Sequence, residues 1–195
     1  TDVLFKKGEQ ICKQGAFLAN LIYIKSGLVK VFVEQESSSP ILFLKSDDEF
    51  IGLPSVFKDG KHHSSSMALM ETSAKLIGID VFKQLLSENP AFGVKFLEIA
   101  NRDVLQAYEK ISSFASKQLH GRMAELLLHL RRHVYQTNPY KLTLSKTELA
   151  DMLFTSKESI SRILSHLKRD KIITESKGEI HILDEDKLER VSHTG

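Results

Sequence analysis

The sequence predicts an α+β chain in which short antiparallel strands give way to helices near residue 90. Three observations point to this class. Apolar residues alternate at period 2 through the first part of the chain, between glycine-bearing turns. From Pro90 the apolar spacing lengthens to a heptad repeat. Near the C-terminus two short amphipathic segments follow one another across a tight break, and two short β runs come after them.

In the strand-rich part, Ile22 and Ile24 alternate with other residues, as do Val29, Val31 and Val33. A half-buried strand requires that alternation. Lys25-Ser26-Gly27 sits between the two runs as a turn, and further apolar runs follow at 41–44, 67–69 and 76–79. Gly52, Asp59-Gly60 and the polar stretch 37–39 separate them. Short strands at such spacing imply an antiparallel barrel, roll or sandwich. No helix-period segment competes before about Val81.

Beyond Pro90, Leu97, Ala100, Val104, Ala107, Ile111 and Phe114 occupy the a and d positions of three consecutive heptads. Two helices packing along their length need this repeat. A single amphipathic helix lying on its own barrel would use the same spacing, but the small alanines let two backbones approach and favour a dimer seam. A second helix carries Leu119, Met123, Leu127, Leu130 and Val134 on one face until Thr137-Asn138-Pro139 stops it. Residues 142–144 form a short extended run. Ser145-Lys146-Thr147-Glu148 is then a capping box that opens a brief helix with Leu149, Ala150 and Leu153 inward. Phe154-Thr155 breaks it. Ser156 caps a longer, basic helix bearing Ile160, Ile163, Leu164 and Leu167. Ile172-Ile173, the Lys177-Gly178 turn and Ile180-His181-Ile182 make a two-stranded wing. The unit is a winged helix-turn-helix.

Composition excludes several classes. The 195 residues, 42% hydrophobic and 27% charged, suit one large or two small domains with a proper core. Cys12 is the single cysteine, so neither an intrachain disulfide nor a four-cysteine zinc or iron–sulfur site is available within this sequence. No run of 18 apolar residues occurs, so no membrane span is expected. Because the chain opens on Thr1 rather than Met, a preceding segment is expected, and any signal peptide would lie there. Residues 1–116 carry 13 Lys+Arg against 14 Asp+Glu, whereas residues 117–195 carry 14 against 11. The C-terminal part is therefore where a polyanion would dock. A barrel enzyme is not expected: only His62 and His63 lie in the strand-rich part, and adjacent strand residues point to opposite faces. No Ser-His-Asp set, Walker loop or dinucleotide fingerprint is present.

Taken in order, these parts resemble the bacterial CRP/FNR family of transcription regulators. The likeness rests on Gly8-Glu9-Gln10-Ile11 with Gly15, on 22–27, on Phe50-Ile51-Gly52, and on 144–167, above all Glu158-Ser159-Ile160-Ser161-Arg162. The resemblance implies a double-stranded β-helix (a jelly-roll of cyclic-nucleotide-binding type) over residues 1–90 that senses an effector. It also implies a dimerisation helix over 91–117 and a winged helix-turn-helix DNA-binding domain over 118–195. A cytoplasmic homodimer acting on double-stranded DNA and on RNA polymerase follows from the same likeness.

The family's recognition helix reads the major groove, and the residues here suit that task. Glu158 and Arg162 are four apart and share a helix face. Arg pairs with guanine O6 and N7, Glu accepts from cytosine N4, and Ser161 reaches a base edge or a phosphate. The Glu-x-x-Ser-Arg pattern is that of the FNR-like branch, which implies TTGA-type half-sites rather than the TGTGA of the cyclic-AMP branch. Lys157, Lys168, Arg169 and Lys177 are expected to hold phosphates. Where the family carries glycine in the turn, this chain has Phe154. The turn is therefore either rebuilt or strained, with burial of the ring as compensation.

At the family's nucleotide cassette the chain reads Gly52-Leu53-Pro54-Ser55 and Lys61-His62-His63-Ser64. Leu53 stands where the resemblance places a ribose-binding carboxylate, and His63 where it places the phosphate-binding arginine. A neutral histidine does not replace a permanently charged fork. Tight cyclic-AMP binding is thus not expected, although a cyclic-nucleotide-responsive regulator with an altered pocket is the alternative. An effector pocket would comprise Gly52, Leu53, His63, Ser64 and Tyr108. One cysteine does not hold a 4Fe-4S cluster, and Cys12 is expected to be inert. Haem stays open, with His62, His63 and His120 as candidate axial ligands. No metal site is expected.

Overall fold

The computed structural model describes residues 1–36 and 38–194; Ser37, within the predicted polar break at 37–39, and Gly195 lie outside the described residues. The chain forms two compact units, Thr1–Ala107 and Tyr108–Gly195. Among the described residues no helix is long and apolar enough to cross a membrane.

The first unit is a roll of two four-stranded antiparallel sheets among the described residues. Its strands are β1 (Asp2–Phe5), β2 (Gln10–Cys12), β3 (Asn20–Ser26), β4 (Val29–Phe32), β5 (Ile41–Lys45), β6 (Phe50–Ile51), β7 (Ser65–Ala68) and β8 (Thr72–Gly78). One sheet has the order β1-β8-β3-β6 and the other β2-β7-β4-β5. The period-2 pattern explains the packing between them. Ile22 and Ile24 of β3 share a buried cluster with Cys12, Val29, Ile51 and Ala74, drawn from both sheets. Leu21, on the opposite face of β3, is covered instead by Leu18, Leu53, Val56, Phe82 and Phe96. The turn predicted at 25–27 depends on glycine. At Gly27, φ is +125°, and an added Cβ would lie 2.7 Å from the Thr72 Cα. Side chains do not tolerate that approach.

Helix begins earlier than the periodicity suggests. The run 76–79 is divided, with Leu76 and Ile77 in β8 and Ile79 opening α1 (Ile79–Glu88). The long helix α2 spans Pro90–Ser116. Phe82 of α1 meets Phe92 and Phe96 of α2 edge-on, with centroids 5.9 and 5.0 Å apart. One buried charge also links the sheet to this helix. Lys45 of β5, 4% exposed, holds its Nζ 3.0 Å from Glu49 and 2.5 Å from Asp103 of α2.

The second unit contains α3 (Leu119–His129), a π-helical continuation (Leu130–Tyr135), β9 (Tyr140–Lys141), α4 (Lys146–Leu153), α5 (Lys157–Arg169), β10 (Ile173–Ser176), β11 (Glu179–Ile182) and α6 (Glu185–Thr194). Two features depart from expectation. The wing sheet has three strands, in the order β10-β11-β9. Tyr140 and Lys141, not 142–144, form the third, by pairing with Ile180 and Glu179. Helix α6 is not apparent in the apolar spacing, because few of its residues are apolar; it is held by buried Leu188 and by Glu185 and Glu189 bridging to Arg131 and Arg132. Its start is nonetheless readable. Asp184 accepts from the Lys187 N–H at 2.8 Å, an N-cap, with Glu185 and Asp186 in the first turn.

Candidate nucleic-acid interface

Two serines set the helix-turn-helix. Ser145 Oγ accepts from the Glu148 N–H at 3.2 Å, and Glu148 Oε2 accepts from the Ser145 N–H at 2.8 Å, which completes the capping box of α4. Ser156 Oγ accepts from the Ser159 N–H at 3.2 Å and opens α5. Leu149, Ala150, Met152 and Leu153 of α4 are buried, as are Ile160, Ile163, Leu164 and Leu167 of α5. That fixes which side of α5 faces outward. Lys157, Glu158, Arg162, Ser165 and Arg169 are exposed there, and Ser161 is half-buried. Ser165 is absent from the predicted set, although continuing the 158, 161, 162 spacing by one more turn reaches it.

The predicted contact residues are not equally available. Glu158 and Arg162 lie on one face with no ion pair between them among the described residues, so the guanidinium fork stands ready for an external partner. Lys168 instead pairs with Glu175 of β10 at 2.7 Å. Arg169 lies 3.3 Å from Asp170. Lys177 is exposed at the tip of the wing hairpin with φ +51°, beside Gly178. His166, in the last turn of α5, stacks on His120 of α3 with centroids 5.8 Å apart.

Phe154 resolves the question of the turn. It ends α4 in the left-handed conformation (φ 50°, ψ 56°), the strained choice rather than a rebuilt turn. Burial is not the compensation: the residue is 53% exposed. Its ring packs edge-on against Phe114, with centroids 5.0 Å apart at 81°.

Residues 2–89 match the family model of the cyclic nucleotide-binding domain, and residues 121–191 match that of the Crp-like helix-turn-helix domain. The chain belongs to the CRP/FNR family of DNA-binding transcription regulators. Among CRP/FNR relatives it is similar to the transcriptional activator protein Anr of Pseudomonas protegens, 24% identical over 184 residues that cover 92% of this chain and 75% of that protein. It is also similar to the cAMP-activated global transcriptional regulator CRP of Salmonella typhimurium, 26% identical over 166 residues covering 83% and 79%. The structure of FixK2 from Bradyrhizobium japonicum shares the fold, with a TM-score of 0.89 over 100% of this chain and 98% of that one at 18% identity. The first two are named as transcriptional regulators, and the family is one of regulators, not enzymes.

The cassette residues of this CRP/FNR chain stand in separate settings. Leu53 follows Gly52 (φ +96°) in a single 3-10 turn and is buried among Leu18, Leu21 and Val56. Its side chain packs in the core and carries no group that accepts a hydrogen bond. His63 is exposed, with Nε2 2.9 Å from Asp59, and its N–H donates to Ser55 Oγ at 3.3 Å. An imidazole so engaged supplies no bidentate fork for a phosphate. Ser64 presents its carbonyl to the Cys12 thiol at 3.7 Å. Burial pushes that thiol's pKa up, away from the reactive thiolate. His62 is buried, and desolvation lowers its pKa. The three histidines named as haem ligands therefore stand in three different settings: buried, paired to Asp59 and stacked on His166. No group of three or more His, Cys, Asp or Glu is placed to hold a metal among the described residues.

On α2, Leu97, Val104 and Ile111 are 60%, 45% and 65% exposed, while Ala100, Ala107 and Phe114 are half-buried. Phe114 is engaged by Phe154 and by Arg122, whose Cζ lies 4.4 Å from the ring centroid. Val94, Leu105 and Tyr108 are exposed instead, Tyr108 by 64%.

Proposed function

We propose that this CRP/FNR regulator binds, as a cytoplasmic homodimer, a palindrome of TTGA-like half-sites, under control of a small effector held by the roll. The outward face of α5 is the observation that carries the site reading. It presents Glu158, Ser161 and Arg162 on a helix capped by Ser156 and fixed by four buried aliphatic side chains. Arg162 reads guanine, Glu158 reads cytosine, and Ser161 takes a base edge or a phosphate. Lys157, Arg169 and Lys177 neutralise phosphates and set register without reading sequence. Lys168 joins them only by giving up Glu175. A dimer places two such helices roughly 34 Å apart, one turn of DNA.

The dimer seam runs along the exposed stripe of α2, with Val94, Leu97, Asn101, Val104, Tyr108 and Ile111 at alternating spacings of three and four. This frame keeps Leu97, Val104 and Ile111 of the predicted set and exchanges Ala100, Ala107 and Phe114 for outward-facing neighbours. Asn101 at an a position would fix register at some cost in stability. Tyr108 thereby moves from the effector pocket to the seam. Contact with RNA polymerase follows from the family.

The test is a competition binding assay at fixed salt, since affinity depends steeply on it. A TTGA-N6-TCAA duplex, a TGTGA-N6-TCACA duplex and a scrambled duplex are offered together. Preference for the first, lost in Arg162→Ala, is expected; preference for the second keeps the family and overturns the half-site. A second reading, a regulator answering to a cyclic nucleotide through an altered pocket, is favoured by the match of residues 2–89 and by the relative named as cAMP-activated. Calorimetry with cyclic AMP and cyclic GMP decides it: micromolar binding would establish that reading against the chemistry of Leu53 and His63.

A further inference from the structure

We propose that Phe154 is a positioning residue: through its ring pair with Phe114 it ties the turn between α4 and α5 to the last turns of α2, so that α2 sets the orientation of α5. This inference rests on the reading of α5 as the DNA-contacting helix. A left-handed backbone at the turn is what glycine adopts without penalty, whereas a residue with a β-carbon is strained there. Something must offset the strain, and burial in the core of the helix-turn-helix does not, because the residue stays 53% exposed. What the ring touches is α2.

The surroundings of the pair form one connected stack. Phe154 meets Phe114 edge-to-face at 5.0 Å, the geometry in which the positive edge of one ring faces the negative face of the other. The Lys110 Nζ, one turn before Phe114 on α2, lies 5.4 Å from the Phe154 centroid and 5.9 Å from that of Phe114. Arg122 of α3 places its Cζ 4.4 Å from the Phe114 centroid, and its Nε is buried with no hydrogen-bond partner. Both cations are in range of the rings for cation–π attraction. Side chains from α2, α3 and the turn thus share one aromatic centre.

A separate link holds α2 to α3. Glu125 accepts from Ser113 Oγ and pairs with Lys117 at 2.9 Å. Removing the Phe154 ring should therefore leave α2 and α3 joined and free only the turn and α5.

The experiment is a spin-label distance measurement on the full chain. Labels at Glu109→Cys on α2 and Ser165→Cys on α5 lie at exposed positions, while the buried Cys12 thiol is shielded from labelling. Labelled chains are diluted with unlabelled ones so that the pair within one chain dominates. The parent should give one narrow distance distribution. Phe154→Gly and Phe114→Ala should each broaden it, the double variant should be no broader than either single one, and Phe154→Tyr should restore the narrow distribution. In unlabelled protein, Phe154→Gly should weaken binding to the TTGA-N6-TCAA duplex roughly two- to tenfold, without lowering the thermal midpoint, since glycine relieves the strained backbone. An unchanged distribution in Phe154→Gly, or additive broadening in the double variant, overturns the proposal. If the parent prefers none of the duplexes, the half-site reading falls and the distance measurement still decides the role of Phe154.

Discussion

On the proposed reading of α5, Arg162 is the residue on which sequence selectivity turns. Its guanidinium is exposed beside Glu158, so binding DNA does not first have to break an internal ion pair. Arg162→Ala is expected to cost about 1–3 kcal/mol per bidentate guanine pairing and to relax preference at that base pair; Lys at the same position should restore little, because a point charge does not reproduce the fork. Competition titrations with single-base variants of the duplex measure both effects. Lys110 gives a second prediction, of the opposite kind. Burial against Phe114 and Phe154 lowers its pKa from the usual 10.5 to about 8. Between those values the unfolded chain keeps the proton and the folded chain has lost it, so raising the pH favours folding across that window. Below about pH 8 the folded state carries a desolvated charge. The stability of the parent relative to Lys110→Met should therefore rise as pH goes from about 8 toward 10.5. Tyr140 works the other way: burial, then the nearby Tyr135, raises its pKa, so its contribution is lost above about pH 10. Thermal unfolding of parent and variant side by side cancels that term. A constant difference across the window would refute the assignment to Lys110.

At the scale of elements, the link between β5 and α2 is the most testable. Lys45 is buried, and its charge is met by Glu49 and Asp103. Asp103→Ala leaves that ammonium with one partner in a poorly solvated place, an expected loss of about 1–3 kcal/mol. The midpoint should fall by roughly 2–4 °C for each kcal/mol. Lys45→Met combined with Asp103→Ala should recover part of the loss, because the unpaired charge goes too. An unchanged midpoint in Asp103→Ala would mean that the Phe82, Phe92 and Phe96 contacts alone hold α2 to the roll. Legibility in the sequence also varies by element. The helix-turn-helix is plain because caps, apolar spacing and a break coincide within 145–167. The strand at Tyr140–Lys141 and helix α6 escape, since one is two residues long and the other is held largely by ion pairs and a single fully buried leucine. At Phe154 the family pattern marks the position but leaves two outcomes open; the backbone shows strain without burial. Leu53 illustrates a different limit. A leucine in a Gly-Leu-Pro-Ser turn reads equally as core or as pocket wall, and only its contacts with Leu18 and Val56 place it in the core.

For the whole molecule, the phase of the α2 seam would decide how two chains of the proposed homodimer meet. The spacings 97, 100, 104, 107, 111, 114 and 94, 97, 101, 104, 108, 111 both alternate threes and fours, so periodicity alone does not choose between them. Exposure favours the second, because Tyr108 faces outward while Phe114 is engaged by Phe154 and Arg122. Tyr108→Lys separates the frames. In the second it sets two like charges across the dimer axis in place of two aromatic rings, and self-association should weaken by an order of magnitude or more, roughly 1.5–3 kcal/mol per buried side chain. An exposed position costs the single chain little, within about 0.5 kcal/mol, so the folded signal by circular dichroism should persist. DNA affinity should fall together with dimerisation, because a palindrome is held tightly only when the second half-site binds at the effective concentration set by the first. Sedimentation across a concentration series, paired with titration of the TTGA-N6-TCAA duplex, reads both quantities on one sample. A Tyr108→Lys protein that sediments as the parent does, with undiminished duplex affinity, would exclude Tyr108 from the seam and return Ala107 to it.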